Sequence, residues 1–172
     1  MWRDLTPQEA ATMPEARLGG ALMAMFALAI AVVVAMAVVT VFNAWLFLTV
    51  GPGGMGRGQG LATTLFMVPT AFVTLLALVF AIMTMARARS TPTVLIGGVV
   101  VWMVLRLLFT IGGQVLVSQQ YGANGGAVLF SMMWPVLVNV AADGVLAAAL
   151  CGYMSDGTRP NAYFLRRVRT GR

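Results

Sequence analysis

Two opposite charges, Arg106 and Asp143, lie deep inside apolar stretches of the 172-residue chain. One lies thirteen residues into an apolar run over residues 93–117, and the other eleven residues before the end of a run over residues 127–154. At about 1.5 Å per helical residue, they are about 20 Å and about 16 Å from the same end of two antiparallel helices. Because a lone charge at the centre of a bilayer costs about 3 kcal/mol, we expect the two side chains to form an ion pair.

This intramembrane ion pair has two interpretations. As a structural lock, it neutralises charge and fixes the register of two helices, although buried ion pairs are weak indicators of stability. As a functional relay, it conducts protons or solutes, because ionisable groups inside a membrane mark such pathways. The residue types leave both interpretations open.

Polar residues recur every four positions in both helices and form one stripe on each. The stripes consist of Arg106, Thr110, Gln114 and Ser118 in one helix, and of Ser131, Pro135, Asn139 and Asp143 in the other. A step of four drifts by only about 40° around a helix, so each stripe stays near one face. We expect the stripes to face each other, another helix or water, with Thr110 and Asn139 as secondary partners of the ion pair.

Small and hydroxyl residues line one face of another apolar run, over residues 61–86. They are Thr70, Thr74, Ala77, Ala81 and Thr84. Their mean spacing of about 3.5 residues is the period of a left-handed helix contact, and small side chains let a neighbouring backbone approach closely. We interpret this face as a helix-packing surface, with chance in an alanine-rich helix as the alternative.

The residue composition argues against catalysis. The chain has no His, no Lys and a single cysteine, Cys151, and beyond residue 15 its only acids are Asp143 and Asp156. This removes the common proton shuttle, the Schiff-base amine and any Cys/His metal cluster. We therefore expect a non-enzymatic protein without metal or cofactor. The net charge of +6 reflects membrane topology, so no nucleic-acid partner is expected.

Long apolar helices must position these residues, because 60% of the chain is apolar and only 9% is charged, far from a soluble composition. Each of the four apolar runs exceeds the roughly 20 residues that cross a bilayer. The predicted fold is an all-α integral membrane protein, an antiparallel bundle of four transmembrane helices over residues 18–154. Its helices occupy 18–50, 61–86, 93–117 and 127–154, between a surface segment 1–17 and a basic tail 155–172.

The arginines predict the orientation of the bundle. Nine of them fall on the side that contains both termini and the second connection, and only Arg57 falls on the other side. Since positive residues stay cytoplasmic, both termini are expected in the cytoplasm. A cleaved signal peptide ending near residue 37 is the competing interpretation, against which stand three acids in the first fifteen residues.

Both terminal segments carry helix signals. Thr6 and Glu9 predict the capped start of a short surface helix that carries Trp2 and Leu5, and Pro14 predicts a second start leading into the membrane. A tail that is helical after Pro160 fits a helix lying on an anionic inner leaflet. The alternative is a simple positive-inside anchor. The arginines concerned are Arg159, Arg166, Arg167, Arg169 and Arg172.

The chain ends resemble a family of bacterial four-helix membrane proteins known only as a domain of unknown function. The resemblance is carried by two segments, Leu18-Gly19-Gly20-Ala21-Leu22 and Tyr163-Phe164-Leu165-Arg166-Arg167-Val168-Arg169-Thr170. It implies a bacterial inner-membrane protein with a cytoplasmic tail and brings no activity. This chain departs from the family's pattern in lacking lysine and in the segment 156–161 before the tail.

Two functions remain as expectations. The first is a non-catalytic accessory or packing subunit of a membrane assembly, which binds a membrane-protein partner or a second copy. The second is a small oligomeric transporter or channel with a polar path around Arg106 and Asp143. In both cases the anionic inner leaflet is an expected partner of the basic tail.

Overall fold

Four long helices make up most of the protein in a computed structural model that describes residues 2–50, 57–119 and 125–169. The chain begins with a strand and a short helix and ends with a helical turn and a second strand. In order, the elements are β1 (Trp2–Asp4), α1 (Pro7–Thr12), a 3₁₀ turn (Pro14–Ala16), α2 (Gly20–Val50), α3 (Arg57–Met85), α4 (Thr91–Gln119), α5 (Gly125–Asp156), α6 (Thr158–Pro160), a π-helical turn (Asn161–Leu165) and β2 (Arg167–Arg169).

The prediction of four membrane-length helices is confirmed. Four helices are long and apolar enough to cross a bilayer, and the ends of α2 to α5 lie within four residues of the predicted runs. Large apolar side chains remain exposed on their surfaces, including Phe130 at 85% and Trp134 at 72%. So much exposed apolar surface is unfavourable in water and suits a multi-pass membrane protein.

Helices that follow one another in the chain pack together, α2 on α3, α3 on α4 and α4 on α5. The antiparallel helices α3 and α4 approach closely at Gly98, where a Cβ would overlap the side chain of Leu76. The missing side chain at this glycine lets the two helices approach, as is common between membrane helices.

The hydrophobic core lies at the end of the bundle that contains the described parts of both termini and the α3–α4 turn, called the terminal end below. One cluster there joins all four long helices to the tail, with Leu22, Phe80, Leu95, Met154 and Phe164 among its buried members. The helices are therefore held to one another and to the tail at this end.

The predicted start of α1 is confirmed. The Glu9 N–H donates to Thr6 Oγ1 at 3.3 Å, and Glu9 Oε2 accepts from the Thr6 N–H at 2.9 Å, which completes a capping box. The hydrogen bonds that the Thr6 N–H and the Thr6 hydroxyl donate to the Glu9 carboxylate, together with the one from the Arg3 guanidinium, lower the pKa of the Glu9 carboxyl. Trp2 and Leu5 lie before the helix rather than on it, and α2 begins at Gly20 instead of near Pro14.

The two ends of the chain pair as a two-stranded antiparallel sheet, which the sequence did not predict. Trp2 lies opposite Arg169 and Asp4 opposite Arg167, and the Leu5 N–H donates to the Arg166 carbonyl at 2.6 Å. The tail thus differs from the continuous amphipathic helix expected after Pro160. Its helical part ends at Leu165 because its aromatic side chains turn into the bundle and the next residues pair with β1.

Candidate functional site

The structure brings together the two charges that interrupt the apolar helices. Arg106 Nε donates to Asp143 Oδ2 at 3.2 Å, across the contact between α4 and α5. Arg106 lies about 22 Å from the terminal end of its helix and Asp143 about 20 Å, so their levels match. The two side chains keep 29% and 25% of their surface exposed. The pair therefore lies at mid-span, on the border between the helix contact and the surface.

The remaining polar stripe does not form a network around this pair. Thr110 is 5% exposed, and its Oγ1 has no hydrogen-bond partner among the described residues. Asn139 is exposed and Gln114 is half-buried, and within the described ranges neither hydrogen-bonds to the pair. The predicted secondary partners Thr110 and Asn139 are thus not found in that role. Ser118 Oγ donates within its own helix, to the Val115 carbonyl at 2.8 Å.

The small-residue face of α3 points into the bundle. Thr84 is fully buried, Ala81 is 6% exposed, and the other predicted positions, Thr70, Thr74 and Ala77, are half-buried. On the neighbouring side of α3, about 100° around the helix, large apolar residues such as Leu75, Leu78, Ile82 and Met85 are exposed. The inward face of α3 thus combines small residues, which permit close helix contact, with the buried ring of Phe80.

Aromatic residues of the tail are inserted into the terminal end of the bundle. Phe164 is 1% exposed and Tyr163 is 6% exposed, and their rings meet edge to face with centroids 4.9 Å apart. The Tyr163 hydroxyl donates to the Thr84 carbonyl at 3.0 Å, and the Arg87 guanidinium lies 4.9 Å from the centre of the Tyr163 ring. The sequence did not predict this contact. Arg87 indicated only the membrane topology, and the apolar and basic pattern around Phe164 is typical of a helix on a lipid surface.

Several tail arginines are engaged by the protein. A Cβ on Gly19 or Gly20 would come within 3.1 Å of the Arg159 guanidinium. Arg167 donates to Asn161 Oδ1 at 2.8 Å and lies 5.0 Å from the centre of the Trp2 ring. Arg166 is exposed. The Arg169 side chain and all of Arg172 lie outside the described residues.

Within residues 2–50, 57–119 and 125–169, no group of three or more His, Cys, Asp or Glu side chains could hold a metal ion. No family model, curated protein or solved structure matches this chain. The resemblance of its ends to a bacterial four-helix family stays a prediction. The function must be inferred from the exposed mid-span polar groups and the basic terminal end.

Proposed function

We propose that the protein is a non-catalytic accessory subunit of a membrane assembly, which binds a transmembrane helix of another membrane protein along one edge of α5. This α5 edge consists of Pro135, Asn139, Asp143 and Leu146, whose spacings of four, four and three place them on one side of the helix. Arg106 borders the edge through its ion pair with Asp143.

The observation that carries this proposal is the exposure of polar groups at mid-span. Asn139 is exposed, and a quarter or more of each side chain in the ion pair is uncovered. Lipid tails offer no hydrogen bonds, so a polar group facing them loses the bonds it makes in water, at a cost of several kcal/mol. A neighbouring helix that carries Ser, Thr, Asn or Gln supplies the missing bonds.

The position of α5 in the bundle supports the same proposal. None of its residues from 133 to 153 is fully buried, whereas α3 and α4 have buried residues in their membrane spans. Leu146, next to the ion pair on the α5 edge, is 69% exposed. An outer helix with polar residues at mid-span is suited to accept a further helix.

The proposed orientation places both termini in the cytoplasm of a bacterial inner membrane. Arg3, Arg17, Arg87, Arg89 and the described tail arginines belong to segments at the terminal end, whereas Arg57 opens α3 at its other end. Positive residues are retained on the cytoplasmic side, which supports this orientation. The exposed arginines at that end would then face the anionic inner leaflet.

The second candidate function is an oligomeric transporter or channel. The same exposed groups favour it, since copies that meet along their α5 edges would enclose Asn139, Asp143 and Arg106 in a shared polar path. Four helices alone are too few for such a path, so this function requires self-association. Proton or solute flux in liposomes that disappears in Asp143→Asn would favour transport over the accessory role.

A bulky substitution on the α5 edge tests the accessory role. We expect a partner membrane protein to co-purify with the unaltered chain in mild detergent at a fixed stoichiometry. Asn139→Trp is expected to lower the recovered amount of this partner tenfold or more. The matched control is Leu108→Trp, because Leu108 is 61% exposed on α4 and, like Asn139, lies seventeen residues from the terminal end of its helix. Quantitative mass spectrometry of affinity-purified native membranes measures the partner.

The outcomes separate the two functions. If Asn139→Trp, but not Leu108→Trp, loses a partner that is a protein other than this chain, the accessory role is supported. If the lost partner is a second copy of this chain, self-association is supported. Equal partner recovery from both variants, or no partner with the unaltered chain, would contradict docking along the α5 edge.

A further inference from the structure

A second feature, separate from the α5 edge, is a cavity of about 160 Å³ at the terminal end. It lies between α1, the 3₁₀ turn, the α3–α4 turn and the tail. The residues that line it include Ala10, Ala16, Ala162, Tyr163, Arg87 and Arg166. Since one water occupies about 30 Å³ of liquid, the cavity has room for a small polyatomic ligand.

The charge of this cavity is entirely positive. Its charged lining residues are Arg87 and Arg166, and no carboxylate of residues 2–50, 57–119 or 125–169 lines it. Both arginines are exposed, and neither guanidinium has a hydrogen-bond acceptor among the described residues. Tyr163 cannot donate into the cavity while its hydroxyl is bonded to Thr84, but its ring holds Arg87 in place through the cation–π contact. Two arginines whose guanidinium groups are without a hydrogen-bond acceptor among the described residues therefore line the cavity.

Both arginines have a left-handed backbone conformation, which indicates a binding role for their side chains. Arg87 has a φ of 50° and Arg166 a φ of 52°, and they are the non-glycine residues with positive φ in the described part of the chain. Each follows the end of a helical segment, a position that usually carries glycine or asparagine. Arginine in the left-handed region costs about 1–2 kcal/mol, and such strain concentrates at binding sites.

We propose that this cavity binds a phosphate group, held by Arg87 and Arg166. The planar guanidinium donates two parallel hydrogen bonds and matches the oxygens of a phosphate, which two such groups can approach from different sides. The small alanine side chains keep the cavity open. The phosphate belongs to an anionic lipid headgroup or to free phosphate, which share this chemistry. The inference does not depend on a partner at the α5 edge.

Two arms of one experiment test the site and distinguish the sources. In the first, inorganic phosphate is titrated at constant ionic strength into the purified full chain in maltoside detergent, and binding is followed by calorimetry. In the second, the chain is placed in nanodiscs of phosphatidylcholine, alone or mixed with phosphatidylglycerol, and retained lipid is counted by native mass spectrometry. We expect one saturable phosphate or phosphatidylglycerol site per chain.

The variants are Arg87→Asn and Arg166→Asn, because asparagine tolerates the left-handed backbone and keeps the turn. Each is expected to weaken binding tenfold or more, whereas the control Arg89→Asn, in the same turn but outside the cavity lining, retains it. If an asparagine variant fails to fold, Arg87→Gly or Arg166→Gly replaces it. Binding in the first arm identifies free phosphate, and retention of phosphatidylglycerol alone identifies a headgroup. No binding in either arm, or equal loss in Arg89→Asn, would overturn the proposal.

Discussion

Replacing Asp143 with asparagine is expected to lower the free energy of unfolding by about 3 kcal/mol, because Arg106 is then left at mid-span without its counter-charge. Arg106→Gln should have a similar effect through the unpaired carboxylate. The double variant Arg106→Gln/Asp143→Asn should lose less unfolding free energy than the two single variants lose together, because no isolated charge remains. Unfolding by SDS titration from maltoside micelles, followed by circular dichroism, measures all three.

The matched control for this series is Asp156→Asn, the same chemical change at an exposed position where α5 ends. Its effect should stay within about 0.5 kcal/mol, as is usual for surface substitutions. If the two single losses simply add in the double variant, Arg106 and Asp143 contribute independently. The ion pair would then have no role in holding α4 against α5.

The second large effect is expected from Phe164→Ala, which should cost about 3–5 kcal/mol of stability. Phe164 is 1% exposed and packs in the cluster that joins the tail to Leu22, Phe80 and Met154. Its truncation leaves a cavity at the point where all four long helices meet the tail. The tail should detach, so that trypsin cleaves after Arg166 much faster than in the unaltered chain.

Phe130→Ala is the control for this change, because Phe130 is 85% exposed on α5. The same loss of a phenyl group there should leave stability in detergent nearly unchanged. Equal stability of the two variants, together with unchanged cleavage, would show that the tail is not docked in the bundle. A membrane-surface helix, as the sequence pattern suggested, would then describe the tail better.

The helices and the ion pair could be predicted because their signals are local and strong. Long apolar runs set the bounds of α2 to α5, and a fixed rise per residue placed Arg106 and Asp143 at one level. The capping box of Thr6 and Glu9 was equally local. Each of these predictions required only the spacing of residues along one segment or the shared depth of two.

The tail could not be predicted, because its pattern suits two environments equally. Apolar residues among arginines stabilise a helix on a lipid surface, and they also allow Phe164 to enter a protein core while Arg167 stays outside. The pairing of Trp2 with Arg169 joins opposite ends of the chain, and no local signal marks it. Asn139 was predicted as a secondary partner of the ion pair, and only the packing of α5 revealed that this residue is exposed.

The proposed function rests on the α5 edge being covered by protein in the native membrane. Cysteine cross-linking in intact membranes tests this most directly, with Asn139→Cys and Leu108→Cys compared after Cys151→Ala removes the free thiol. The two positions are exposed at equal depth on different helices, about 26 Å from the terminal end. We expect position 139 to form one discrete adduct with a membrane protein and position 108 to form none. Absence of an adduct at position 139, or the same adducts at both positions, would contradict the proposal.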